Sequence, residues 1–286
     1  MNKALRIELW KMLHEPMFYL AVAIGLAIAG INVAETVRTT RPLIEMNLEM
    51  LEKTGGQFGG FDGVSLFYKW IGVDLQGQWS QYFYLVWPIL AALPFGWSYS
   101  TERKNGVYNQ IVCRMGARHY FGAKYITVFV GGGLAVAVPV LLNLLVEAMF
   151  LPAITPNVLL MQTVICDGYF LSKLYFTHPW VHGLLWCLLD FLWGGAAACL
   201  CFIVGSRLRL KVMVILSPFV LIMLLDAMYT VIQPMLKWQV ELSPRMLAAA
   251  ATMHQNPGWA VFTVMGVLLL VSVFLGHYQV VKNELG

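Results

Sequence analysis

Six apolar runs, each about 18–26 residues long, alternate along the chain with short blocks where polar and charged residues gather. They cover about 17–34, 82–99, 124–149, 181–205, 212–233 and 258–277. Crossing ~30 Å of hydrocarbon takes roughly 20 apolar residues in a helix. The pattern therefore predicts an all-α integral membrane protein, with six transmembrane helices in a single domain over 1–286. The first run contains "AIA" at 27–29, which imitates a small-residue cleavage site. Its apolar length exceeds a signal-peptide core and its leader is amphipathic, so a retained anchor is expected. That leader, "NKALRIELWKMLH", puts Leu5, Leu9, Met12 and Leu13 on one helical face and Lys3, Arg6 and Lys11 mostly elsewhere. Trp10 suits the headgroup level. An interfacial helix over 1–16, ended by Pro16, is expected; the alternative is a plain extension of the first span.

Two of the segments between runs are too long to be turns. Residues 35–80 hold a helix-like stretch, "RPLIEMNLEMLEK", then "GGQFGGFDG", then aromatic "VSLFYKWIGV". Residues 234–257, half apolar and bracketed by Pro234 and Pro257, predict short helices dipping into the outer leaflet.

Composition makes lipid the main solvent. With 59% of 286 residues hydrophobic and 12% charged, a soluble globule could not cover its apolar surface. The net charge of +4 is unevenly spread and speaks for membrane orientation, not nucleic-acid binding. With the N-terminus inside, Lys3, Arg6, Lys11, Arg103, Lys104, Arg114, Arg118, Lys124, Arg207, Arg209, Lys211 and Lys282 are cytoplasmic, 12 of the 19 basic residues. Both termini are expected in the cytoplasm. Cys113, Cys166, Cys187, Cys199 and Cys201 have no zinc or redox spacing, and three of them share one apolar segment.

Candidate chemistry is sparse. "GARHYFGAK" at 116–124 has five residues between its glycines and no Gly-Lys-Ser/Thr ending, so it is not a phosphate-binding loop. His178 and His182 are spaced i,i+4, but Pro179 argues against a regular helix there and no acidic partner accompanies them. No Gly-x-Ser-x-Gly or His-Glu-x-x-His motif occurs. Glu147, Asp190 and Asp226 lie in or near spans, where a charge is costly and marks a candidate site by default. Each could instead be a helix–helix hydrogen bond or a carboxylate in a wet cavity. Glu147 is expected to reach water at the outer end of its span. With no Lys or Arg at mid-membrane depth, an internal ion pair is not expected. Pro88 and Pro94 should kink the second span, and Pro218 the fifth. "GGG" at 131–133 and "GGAAA" at 194–198 allow close helix approach.

The stretch "TERKNGVYNQIVCRMGARHYFGAK" at 101–124 resembles the ABC-2 family of membrane-spanning subunits of ATP-binding-cassette exporters. The matching positions are Glu102 at the end of the second span, Arg103 and Lys104, Gly106, the helix "VYNQIVCRM", Arg118, and Lys124 at the start of the third span. Where that family often has a Pro-x-Ser-Arg turn, this chain has "RMGAR", with Gly116 in the turn. The six spans, amphipathic leader and outer helices extend the resemblance over nearly the whole chain. It implies that the cytoplasmic segment 100–123 carries a coupling helix, about 103–116, that docks in a groove of a separate ATPase. Tyr108, Ile111, Val112 and Met115, beside Arg114 and Arg118, are expected to face that partner; an interfacial helix lying on lipid is the alternative. The resemblance further implies two ATPases holding ATP and Mg, with no cofactor bound by this chain and no catalysis of its own. A second membrane subunit is expected, most simply another copy. The second and fifth spans then face the pathway, with Phe83, Trp87, Phe95, Asp190, Met223 and Asp226 as candidate contacts. The implied role is export of amphipathic cargo such as peptides across a bacterial cell membrane. The competing reading is a non-transporting polytopic protein, either an intramembrane enzyme or a sensor or immunity scaffold. A neighbouring ATPase gene separates the two.

Overall fold

Apolar runs bounded by glycine and proline fold into helices throughout the computed structural model, which describes residues 2–55, 64–74, 77–156, 165–166, 168–205, 207–208, 210–252 and 254–282. Most of the glycine-rich stretch "GGQFGGFDG", as well as Arg209, lies outside the described residues. In chain order the helices are α1 (Asn2–Leu13), α2 (Pro16–Lys53), α3 (Leu66–Lys69), α4 (Gln78–Ala92), α5 (Ser98–Lys104), α6 (Val107–Met115) and α7 (Ala117–Glu147). They continue as α8 (Ser172–Thr177), α9 (Pro179–Cys199), α10 (Cys201–Gly205), α11 (Lys211–Leu236), α12 (Pro244–Ala248) and α13 (Gly258–Lys282). Among the described residues the only extended pairing is one isolated bridge, Val240 to Gln255. Five stretches are long and apolar enough to cross a membrane: α2, α7, α9 with α10, α11 and α13.

The expected second span is the exception. A continuous helix over 82–99 is corrected to α4, a turn over 93–97, and α5. Pro94 has no N–H to donate and its ring clashes with the preceding turn, so the helix stops at Ala92. Side chains hold the turn that follows: Trp97 Nε1 donates to Leu93 O (3.1 Å) and the Ser98 hydroxyl to Phe95 O (2.7 Å). At ~1.5 Å per residue, α4 alone reaches roughly 22 Å.

The first span is corrected in the other direction. It does not end near residue 34; α2 carries "RPLIEMNLEMLEK" in the same 38-residue helix, with Pro42 inside it. No glycine or cap interrupts 34–53, and exposed i,i+4 pairs, Arg41–Glu45 (3.2 Å) and Lys53–Glu49 (3.7 Å), support the extension. Pro234 likewise does not bound a loop, because α11 runs through it to Leu236. Pro179 starts α9 instead of preventing a helix, as suits a residue whose missing N–H would be unpaired in the first turn anyway. His182 is buried in that helix, stacked on Trp186 at 5.6 Å.

Helices α7 and α9 form the centre of the bundle. Their axes approach backbone to backbone: a Cβ on Gly132 would lie 2.4 Å from Ala198 Cβ, 2.8 Å from Ala91 O and 2.9 Å from Gly194 O. Both small-residue clusters are therefore used where three helices, α4, α7 and α9, cross. Trp87 and Trp193 meet edge to face beside them at 6.4 Å.

Helix α1 lies against α7 by a stripe of Ala4, Glu8 and Met12, all buried, while Ile7, Trp10 and Leu13 are exposed. The expectation that Leu13 shares the covered face with Met12 is corrected. The helix is rotated so that an acidic residue, Glu8, points inward.

Candidate functional site

Two glycines shape the 98–124 region. Gly106 (φ +72°) and Gly116 (φ +78°) occupy left-handed backbone, which disfavours any residue with a Cβ. They turn the chain between α5 and α6 and again between α6 and α7. The expected single coupling helix over 103–116 is thus corrected to an elbow of α5 and α6.

The orientation of α6 is also corrected. Tyr108 is buried, edge to face with Tyr99 (5.9 Å) and Tyr120 (5.4 Å). Ile111, Val112 and Met115 are half-buried against the core. Tyr108 points into the protein, while Ile111 and Met115 line a cleft between α6 and α1 together with Ala4, Ile7 and Glu8. Lys104, Gly106, Val107, Asn109, Gln110, Cys113, Arg114 and Arg118 face out, and Arg103 is half-buried. The outward surface is mainly basic and polar, with Val107 and Cys113 as its apolar members.

Beneath the elbow, charges converge from three helices. Lys124 on α7 has no solvent exposure, and its Nζ donates to Glu8 Oε2 on α1 and to Glu102 Oε1 on α5, both at 2.7 Å. Lys11 Nζ closes the ring on Glu8 Oε1 (2.7 Å) and approaches Glu102 Oε1 at 3.6 Å. The Tyr120 hydroxyl donates to the other Glu102 oxygen. Phe95 covers the ammonium, 4.5 Å from ring centre to Nζ. Two carboxylates and two ammonium groups thus pair nearly completely, the condition under which buried charge is tolerated.

The pH response follows. Burial pushes the Glu102 carboxyl up, but Lys124, the Tyr120 hydrogen bond and Lys11 outweigh it and hold the group below its ordinary value of 4.5. Burial pulls Lys11 down, yet Glu8 and Glu102 leave it above 10.5. A lowered carboxyl contributes its full stability above its unfolded value and loses it as pH falls through the folded one. A raised lysine contributes fully below its unfolded value and loses it as pH rises through the folded one. Thermal unfolding across pH is therefore expected to show a plateau through neutrality and a loss below about pH 4.5 that Glu102→Gln reduces.

Glu8 and Tyr120 are absent from the sequence-derived set. The available signals were an acid on the same i,i+4 stripe as Ala4 and Met12, and a tyrosine one turn before Lys124.

Most candidate pathway residues are elsewhere. Phe83, Trp87, Phe95 and Asp190 are buried inside the helix bundle, and Met223 is half-buried against it. Within one copy of the chain, Phe83 and Trp87 of α4 face the bundle interior. Asp190 on α9 accepts weak hydrogen bonds from the Tyr84 hydroxyl at 3.4 and 3.5 Å, a helix–helix tie. Glu147 does not reach water; it is fully buried and bonded to Asn143, which also reaches Asn32 on α2 at 2.9 Å.

Asp226 lies at the opposite end in a part-exposed ion pair; the expectation of no buried ion pair is corrected by Lys124, which is buried between Glu8 and Glu102. The 238–256 segment folds back so that Arg245 Nε reaches Asp226 Oδ2 at 3.0 Å, beside a hydrogen bond from the Ser243 hydroxyl. Glu241 accepts from Ser243 N (3.1 Å) and faces His254 Nδ1 (3.3 Å); its carboxyl is raised by burial, against the pull of those partners. Arg245→Met is expected to weaken this clasp by roughly 1–3 kcal/mol and to speed proteolysis within 237–245. An unchanged cleavage rate would mean that Asp226 does not hold the segment.

Neither a protein-family model nor a curated protein matches the chain.

Proposed function

We propose that this chain is the membrane-spanning subunit of an ATP-driven exporter of the ABC-2 kind. The observation that carries the reading is the elbow itself. Two glycine corners present α6 as a separate short helix, Arg114 on its outward side stands between exposed Lys104 at the end of α5 and exposed Arg118 at the start of α7, and these two flanking helices are fixed by the Glu8–Lys124–Glu102 cluster. A solvated loop needs no buried ion cluster beneath it. A surface that must transmit force does, since motion of a loosely held helix would dissipate before reaching the bundle.

In this reading an ATPase with an acidic groove docks on the outward side of α6. ATP and Mg are held and hydrolysed in that subunit, and this chain performs no catalysis. Closure of two ATPases moves α6, and the cluster carries the movement jointly to α1, α5 and α7. The run of α4 and the 93–97 turn serves as the sixth span, interrupted at Pro94. Both termini and the elbow are cytoplasmic in a bacterial cell membrane, following the basic residues. A second membrane subunit, another copy, packs against the opposite-end half of α11, where Met228, Val231 and Met235 are exposed. The cargo is amphipathic, most simply a peptide, meeting the open side chains Tyr82 and Leu85 of α4.

The test uses the outward charges. Arg114→Glu with Arg118→Glu is expected to abolish co-purification of the ATPase, a loss of about tenfold or more per charge pair broken, while the thermal unfolding midpoint is unchanged because both residues are exposed. Retained association would overturn the docking assignment. Ile111→Asp or Met115→Asp would not discriminate, since both side chains are half-buried and line the cleft between α6 and α1.

A further inference from the structure

We infer that the groove between α10 and α11 is a binding site for one acyl chain of an anionic phospholipid in the leaflet at the basic end. This rests on the membrane-spanning reading but not on export.

The groove has a volume of about 490 Å³ and an almost wholly apolar lining. On α11 it follows Met213, Leu216, Ser217, Val220, Leu221 and Leu224, the i, i+3, i+4, i+7 spacing of one helical face. Ser217 is the polar member, and its hydroxyl is already satisfied by Val214 O at 2.7 Å. No hydrogen-bonding demand is left for a polar ligand. Leu200, Ile203, Val204 and Leu208 form the facing wall. From Met213 to Leu224 the stripe rises roughly 16 Å at ~1.5 Å per residue. One leaflet of a ~30 Å hydrocarbon core is about 15 Å deep. The groove therefore runs from the interface to the midplane, the depth of one acyl chain.

Its mouth selects the headgroup. Lys211 begins α11 one turn from Leu216, and its Nζ sits 3.1 Å from the centre of the Trp97 ring, a pairing suited to the interface. Arg207 is exposed beside lining residue Leu208. The Ser100 hydroxyl donates to Leu208 O (2.8 Å), which fixes this corner against α5. No carboxylate lines the groove, and Glu102 on the same α5 is engaged by Lys124. Exposed Arg207 and half-buried Lys211, neither in an ion pair among the described residues, favour an anionic over a zwitterionic headgroup by tenfold or more.

The probe is phosphatidylglycerol carrying a photoreactive diazirine midway along one acyl chain, with phosphatidylcholine of the same chain as comparison, in vesicles containing the full chain. Labelling is expected to concentrate on Leu216–Leu224, about tenfold more from phosphatidylglycerol. Arg207→Gln with Lys211→Gln should equalise the two lipids. Ser217→Trp, filling the groove, should abolish labelling there and leave it at the exposed α13 residues Leu270 and Phe274. Val220→Trp repeats the block from an exposed position that does not bear on folding. Equal labelling of the α11 stripe and the α13 face, regardless of headgroup, would overturn the site in favour of ordinary boundary lipid. Cross-linking between copies through Leu216→Cys, with no lipid label, would assign the groove to a second chain and overturn it equally.

Discussion

Replacing Lys124 with Met is expected to destabilise the protein by ~3–5 kcal/mol. The change removes the fully buried cation between Glu8 and Glu102 and leaves only the part-exposed Lys11 against two carboxylates at the interior junction of α1, α5 and α7. Their repulsion and desolvation, not the lost attraction alone, set the size of the effect. The measurement is the unfolding midpoint and folded yield of the purified chain. Adding Glu8→Gln and Glu102→Gln to Lys124→Met should recover much of the loss, because the cost lies in unpaired charge and not in the shape of the site. A single Lys124→Met variant as stable as the parent would show that the cluster is not the clamp described above.

The second large effect concerns the helix crossing. Gly132→Ala adds a single methyl, yet it would lie 2.4 Å from Ala198 Cβ and under 3 Å from two backbone carbonyls. Neither a backbone oxygen nor an alanine can rotate away, so α7 must separate from α9 and α4. A cost of ~1–3 kcal/mol is expected, and Gly132→Val should reduce folded yield to near zero. The control is Gly122→Ala in the same helix, where a Cβ meets nothing within 4 Å. There the better helix propensity of alanine should leave the protein as stable or up to ~1 kcal/mol more stable. Equal behaviour at the two positions would refute the close approach.

The long apolar periods made the spanning helices legible, and the glycine clusters marked the crossing. The basic blocks identified which end of the bundle is charged. What stayed illegible depended on distance along the chain. Lys124 meets Glu8 across 116 residues and Glu102 across 22, and nothing local in "LRIELWK" or "YSTERK" states that they pair. Arg245 and Asp226 were hidden similarly, because a segment that folds back brings its cation to a helix end that hydropathy treats as isolated. The direction of α6 was misread for a different reason. Its amphipathic pattern says that one face is covered, but the covering surface is the chain's own α5 and α7, and pattern alone does not distinguish self from partner. Pro94 was read as a kink and is a helix end, since the turn that follows is stabilised by the side chains of Trp97 and Ser98.

The central claim is that the outward side of α6 holds an ATPase. A photo-crosslinking residue placed at exposed position 114, in membranes of the producing cell, tests it most directly, with the same residue at position 270 of α13 as the control. The account predicts an ATP-dependent adduct from position 114 whose peptides include a Gly-x-x-x-x-Gly-Lys-Ser/Thr loop, and none from position 270. No such ATPase from position 114, in membranes where the chain is folded, would contradict it.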